Sequence, residues 1–334
     1  MLRPPNLALT SFNSDLKDNL FSLFTKLFPF DCSMNISSSK NEEQEWRPST
    51  KDYEIILWCT VFILTAIAIL CANTFAIFIF TTRRLLRKRN NILLMNLATA
   101  DLIIGGIAFP MFICIFYKSV KHYQWKEMIL NEVYICVDIF AGLSSMMILA
   151  VIALERAYSV FLPLKHRCTS RRSRFYWLSA AFSWIIAGVL SSLKVLTWKG
   201  IIPTSYDNLV IFTFVFLALV TIIVAYTSIW TRIKSRKRNN NNYVIKEKSV
   251  AQAMLIVTIF FIVMWLPFFL INVTVSFDNH LLQVIPPNVV YSAKLMHYGN
   301  SFVNPIIYSL KLPQFRKALR KLSYRSSART DLNV

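Results

Sequence analysis

Apolar residues in this chain do not alternate with polar ones at short range. They run on for twenty or more positions at a time, and short polar segments rich in Lys and Arg separate the runs. Seven runs stand out, near residues 54–80, 92–117, 129–155, 175–196, 208–230, 250–275 and 287–310. Each is long enough to cross hydrocarbon as a helix, which takes about 20 residues. The pattern predicts an all-α membrane protein, a bundle of seven transmembrane helices. The third, sixth and seventh runs are the least purely apolar, which points inward to a site. Residues 1–53 are polar and read as an extracellular segment without a folded domain, residues 54–310 as the membrane domain, and residues 311–334 as a cytoplasmic tail. In the tail, KLPQFRKALRKLSYR sets Phe315, Leu319 and Leu322 on one face and Arg316, Lys317, Arg320 and Lys321 on the other. That predicts a short amphipathic eighth helix in the membrane interface. There is no repeat of 20–50 residues and no inverted pair of broken spans of the kind transporters use.

Composition sharpens this picture. A 55% hydrophobic content and a mean hydropathy of +0.47 exclude an ordinary soluble domain. The net charge of +20 raises the question of a nucleic-acid partner, but most of the 37 Lys and Arg residues lie in alternate connections: 81–90, 165–174, 231–248 and the tail from Lys311. Such an excess on one set of short loops places them in the cytoplasm, the amino terminus outside and the protein in the plasma membrane. Anionic lipid, and an acidic groove on a partner protein, are the surfaces those loops fit; no nucleic acid is required. No signal peptide is expected, so the first span directs insertion. Asn35, in NIS, is an N-glycosylation acceptor on the outer segment. The six cysteines lack zinc-site spacing, and the four histidines are scattered. With no nucleophile–base constellation, the chain is not expected to be an enzyme.

Ionisable residues inside a span are costly and therefore informative. Asp101 lies about 15 Å into the bilayer by helical rise. It needs a proton or a cation, and Ser145, Asn300, Ser301 and Asn304 could complete an oxygen cage around a cation or hydrogen-bond the protonated acid. At the far end of the third span, Glu155 and Arg156 can neutralise each other, or Arg156 can reach Glu247 at the base of the sixth span. A pair between two helix ends would hold them together until broken. Pro267 removes a backbone hydrogen bond from the sixth span and supplies a pivot, flanked by Trp265, Phe268 and Phe269.

Asn73, NLATADL (96–102), LERAY (154–158) with Pro163, Trp184, Tyr226, MWLP (264–267) and NPIIY (304–308) occur in order on successive spans. Together they resemble the rhodopsin-like (class A) G protein-coupled receptors across residues 54 to about 322. The resemblance implies a receptor with a heterotrimeric G protein as partner and no cofactor beyond an allosteric sodium ion. It implies a sodium pocket at Asp101, Ser145, Asn300, Ser301 and Asn304, and an activation switch of Glu155, Arg156, Tyr226, Glu247, Pro267, Pro305 and Tyr308. Ala157 departs from the usual acidic-Arg-Tyr element, and Ala218 from the usual proline of the fifth span. The usual outer disulfide is not expected, because Asn131 stands where a cysteine would and residues 198–208 contain none.

Asp138 lies 18 residues before Arg156, about 27 Å along the same helix, so it faces an outer pocket. The pocket most resembles that of biogenic-amine receptors, in which an aspartate here binds the ligand ammonium; Trp265, Phe268, Phe269 and Tyr298 would enclose it. Val210 and Phe214 replace the serines that read catechol hydroxyls. Lys294, one turn from Tyr298, is the internal rival. Three expectations follow: a small amine on Asp138, a zwitterionic or peptide ligand using Asp138 and Lys294, or a structural pair. An opsin is not expected, because Tyr298 stands at the retinal lysine. A cation transporter or channel using Asp101 and Asp138 is the alternative from another class.

Overall fold

The computed structural model describes residues 52–82, 91–120, 128–169, 173–235, 242–277, 284–311 and Phe315. Among them are seven long helical rods and no strand. They are Asp52–Thr82; Asn91–Val120 with a π-helical turn at Ile104–Ala108; Met128–Phe161; Ser173–Trp198; Thr204–Ser235; Asn242–Phe277; and Pro287–Lys311. They are called the first to seventh spans below. Six are long and apolar enough to cross a membrane by composition alone. The seventh is not among those six: within 25 residues it carries Lys294, His297, Asn300, Ser301 and Asn304, all buried. Its polarity is what a helix facing the bundle interior can carry and a lipid-facing one cannot. Asn35 and all of the tail but Lys311 and Phe315 lie outside the described residues. Phe315 is buried, its ring 5.5 Å from that of Phe80 on the first span.

Both environments of these helices are apolar, so their faces differ little in hydrophobicity. On the first span Phe62 is fully buried while Leu64 is 62% exposed, and only packing tells them apart. The third span is the hub, touching the second, fourth, fifth and sixth, and the sixth and seventh pair along their length. Polar contacts pin the crossings: Trp184 Nε1 donates to Asn96 Oδ1 at 3.1 Å, tying the fourth span to the second. Near the end of the bundle that holds Asp138, the rings of Trp58, Phe62, Phe109, Phe112, Phe116 and Tyr291 form one cluster across the first, second and seventh spans. Each such pair contributes about 0.5–1.5 kcal/mol beyond burial.

Three backbone devices position the site. In the second span the Phe109 N–H reaches back to Ile104 O, a π-type bond, directly before Pro110, which has no N–H to give. The fourth span ends in a Schellman turn: Ile201 N–H bonds Leu196 O at 2.9 Å, Gly200 N–H bonds Thr197 O at 2.9 Å, and Gly200 takes φ 69°. That turn folds the chain back at once, so the fifth span begins at Thr204 close to where the fourth ended. Pro287 opens the seventh span at the first helical position, where its missing N–H costs nothing.

Gly105 lets the first and second spans touch. A Cβ there would lie 2.7 Å from Ile69 Cγ2, and Ile69 is fully buried and β-branched, with one preferred rotamer. Gly105→Val is expected to destabilise the bundle by about 1–3 kcal/mol or more. Surface expression and the melting temperature of the purified protein would check this; Gly106, which faces only the end of Leu70 at 3.4 Å, should tolerate Ala.

Candidate ligand cavity and switch network

Asp138 meets Lys294, the pairing that the sequence left open as the rival to a free carboxylate. Lys294 Nζ donates to Asp138 Oδ2 at 2.7 Å, joining the third and seventh spans. Lys294 is only 2% exposed, and four rings surround its ammonium: Phe268 at 4.0 Å, Tyr298 at 4.5 Å, Tyr134 at 5.4 Å and Phe112 at 5.7 Å to centroid. A carboxylate and aromatic faces are what a cation needs when it leaves water. The chain's own lysine supplies that cation. Asp138 Oδ1 accepts no hydrogen bond, and the nearest basic nitrogen on that side is His297 Nε2 at 3.9 Å.

Beside this pair lies a cavity of about 310 Å³, walled by residues of the third, fourth, fifth, sixth and seventh spans. Of the predicted ligand residues, Asp138, Trp265, Phe268, Phe269 and Lys294 line it. Tyr298 does not: it is fully buried behind Lys294, its hydroxyl 3.1 Å from that of Tyr134. Trp265 stacks on Phe269 (5.1 Å) and above Phe261 (6.2 Å), an aromatic ladder along one face of the sixth span. Its Nε1 has no hydrogen-bond partner, and neither has His297 Nδ1. The helix continues through Pro267 from Asn242 to Phe277, with Val263 O deprived of its usual donor.

Asp101 belongs to a set of buried residues whose oxygens lack hydrogen-bond partners. Asp101 is fully buried and its Oδ2 accepts from Asn304 Nδ2 at 2.9 Å. Asp101 Oδ1, Ser145 Oγ, Asn300 Oδ1, Ser301 Oγ and Asn304 Oδ1 are buried without hydrogen-bond partners. Such a set of oxygens has the chemistry that hard cations select. Pro305 strips Ser301 O of its intrahelical donor, and Asn73 Nδ2 replaces it at 3.0 Å, which explains an asparagine in an otherwise apolar first span.

At the opposite end Glu155 is the centre of a buried network. It pairs with Arg156, accepts from Tyr176 at 3.3 Å, and its Oε1 lies 2.8 Å from His166 Nε2. His166 is brought there by the short helix Pro163–Thr169, which follows the third span directly and starts with Pro163. Tyr226 is buried nearby in the fifth span's core face. Glu247 lies on the sixth helix, but its side chain and that of Tyr308 fall outside the described residues. Among the described residues Cys59, Cys71 and Cys136 are free thiols, and Asn131 is exposed.

Several groups here had no place in the sequence reading. Tyr134 and Phe112 complete the cage around Lys294, and His166 and Tyr176 hold Glu155. Lys194, Asn208 and Ser276 also line the cavity, and Asp207 pairs with Lys194. The available signal was Lys194 and Asp207 themselves, ionisable residues of opposite sign near two span ends joined by a short loop.

Residues 72–308 match the family model of the 7 transmembrane receptor (rhodopsin family). Among similar proteins, the adenosine receptor A3 of Ovis aries is 24% identical over 288 residues, covering 78% of this chain and 88% of its own. A Gq-coupled rhodopsin of Mizuhopecten yessoensis is 26% identical over 326 residues, 87% of this chain and 63% of that protein. The somatostatin receptor type 2 of Mus musculus is 25% identical over 323 residues, 88% and 84% of the two chains. By their names these relatives differ in what they respond to, so likeness to them selects no ligand.

Proposed function

Because the chain belongs to the rhodopsin family of seven-transmembrane receptors, we propose that it is a cell-surface G protein-coupled receptor whose small extracellular ligand sits in this cavity and donates an N–H group to Asp138 Oδ1. One observation carries this: the carboxylate is divided, Oδ2 held by Lys294 at 2.7 Å and Oδ1 left without a hydrogen bond in a residue that lines the cavity. A buried acceptor left unsatisfied costs about 1–3 kcal/mol, which a ligand N–H recovers. A bare amine, the first expectation, brings a second cation to a carboxylate that Lys294 has already neutralised. A ligand with a negative group of its own beside its ammonium avoids that excess, so a zwitterion or a peptide terminus fits better than a simple amine. At about 310 Å³ the cavity stands at the floor of the usual range for ligand pockets, about 300–1,000 Å³, and suits a small molecule or a single terminus.

The amino terminus, with Asn35 as its glycosylation site, faces outward in this proposal, and the basic loops and tail face cytoplasm and anionic lipid. Ligand contact with Trp265 biases the sixth span about Pro267; the form that binds ligand more tightly is populated, and no other force is needed. The Arg156 end then opens to a heterotrimeric G protein, with Tyr226, Pro305, Tyr308 and Glu247 on the elements that rearrange. Asp101, Ser145, Asn300, Ser301 and Asn304 would hold a sodium ion, which supplies the positive charge that a buried carboxylate requires.

The test is G protein activation by a panel of primary amines, amino acids and short peptides in cells expressing wild type, Asp138→Ala or Lys294→Ala. At matched surface expression, which the stranded charge in either variant makes necessary, a response lost in both variants supports the dipolar ligand; one lost in Asp138→Ala alone supports the amine. A response that survives Asp138→Ala, or cation currents without ligand, contradicts the proposal.

A further inference from the structure

The cavity has a second ion pair. Lys194 Nζ, on the fourth span, donates to Asn208 Oδ1 at 2.6 Å and pairs with Asp207 Oδ2 at 2.9 Å. Asp207 is fully buried, and its Oδ1 accepts the Asn208 backbone N–H at 2.7 Å. Asn208 Nδ2 in turn reaches Ser276 Oγ on the sixth span at 3.4 Å. The Schellman turn at Gly200 makes this possible by bringing the first turn of the fifth span against the last turns of the fourth. Lys194, Asn208 and Ser276 line the cavity; Asp207 does not.

An ammonium carries three N–H donors; Lys194 gives one to Asn208 Oδ1 and stands against Asp207 Oδ2 as an ion pair, which leaves it at least one to give. Asp138, on the same cavity, commits one oxygen to Lys294 and leaves the other without a hydrogen bond. Each centre is thus an internally neutral ion pair with hydrogen-bonding capacity left: an acceptor at Asp138 and a donor at Lys194. Ile139, Leu143, Val215 and Phe212 supply apolar wall to the same cavity.

We propose that Lys194, held by Asp207, is the point that recognises the acceptor end of the ligand, and that the ligand is net-neutral: an amino-acid-like zwitterion with its ammonium at Asp138 Oδ1, its carboxylate at Lys194 and its side chain against the apolar wall. This rests on the assignment of the cavity as the ligand site. A ligand bearing only a cation, or only an anion, upsets the charge balance of one centre and leaves the other's remaining capacity unused. Through Asn208 and Ser276 the carboxylate end is also linked to the sixth span, the element that must move.

Matched triplets test this: α-amino acids with leucine, phenylalanine, tyrosine, tryptophan and histidine side chains, each with its decarboxylated amine and its deaminated acid. Full-length wild type, Lys194→Met and the charge-neutral Lys194→Met/Asp207→Asn variant are compared by G protein activation and by the melting temperature of the purified receptor with each compound. In wild type at least one amino acid should act about tenfold or more below the concentration of its amine and acid partners, as the loss of one charge-assisted hydrogen bond implies. Both variants should erase that advantage, and the second, which strands no buried charge, should do so at normal surface expression. An amine as potent as its amino acid in wild type, or a preference unchanged in the double variant, overturns the inference and leaves Asp138 as the anchor. Silence from every triplet, in both readouts, overturns the inference and the cavity assignment together.

Discussion

Lys294→Met should fold and traffic poorly, at a cost of about 3–5 kcal/mol, whereas the double variant Asp138→Asn/Lys294→Met should recover most of that loss. The single change strands a carboxylate whose side chain is 14% exposed and whose remaining neighbours are rings and His297. It also empties a cage in which Phe268 and Tyr298 stand within 4.5 Å of the ammonium. Neutralising both partners removes the cost of the uncompensated charge and leaves a methionine to fill the aromatic space. Melting temperatures and surface expression for the four members of the cycle measure the coupling. A double variant as damaged as the worse single one would mean that the pair contributes nothing through its charges.

Glu155→Gln should raise signalling in the absence of ligand, by about tenfold to a hundredfold in the ratio of open to closed receptor. Glu155 binds Arg156 while His166 and Tyr176 bind Glu155, so one carboxylate ties the third span to the short helix Pro163–Thr169 and to the fourth span. A hydrogen bond to a charged group is worth about 1.5–3 kcal/mol, and this network is built in the form with its Arg156 end packed. If opening requires Arg156 to turn away, that energy is lost on opening and its removal favours the open form. Basal second-messenger levels at matched surface expression are the measurement. His166→Ala, which takes one donor and leaves the carboxylate, should give a smaller rise; an unchanged basal level in Glu155→Gln would show that the network restrains nothing.

Much of the architecture could be read along the chain because hydrocarbon thickness sets helix length. The fifth run, expected at 208–230, lies within Thr204–Ser235, and the seventh, expected at 287–310, is Pro287–Lys311. The helical rise also gives depth, so Asp101 could be placed deep in the bundle and Asp138 near one end. It gives no rotation between helices, and for that reason the sequence could not decide whether Lys294 meets Asp138 or whether Tyr298 reaches the cavity. Both turn on which way the third and seventh spans face. The π-helical turn at Ile104–Ala108 left only a faint trace, the two glycines and Pro110, because one extra residue in a span barely changes its hydrophobic pattern. Lys194 and Asp207 passed as charges at span ends, where long side chains ordinarily reach for headgroups. Only the tight turn at Gly200 makes them partners.

Asp138→Leu/Lys294→Met isolates the central claim, since it keeps the neutral balance of the pair while taking away the oxygen offered to the ligand. The decisive measurement is the concentration–response curve for G protein activation by whichever compound activates wild type, in wild type and in this double variant at equal surface density. The predicted result is a normal basal signal with the ligand response shifted by about a hundredfold or abolished. A curve that superimposes on wild type would show that the ligand never touches Asp138.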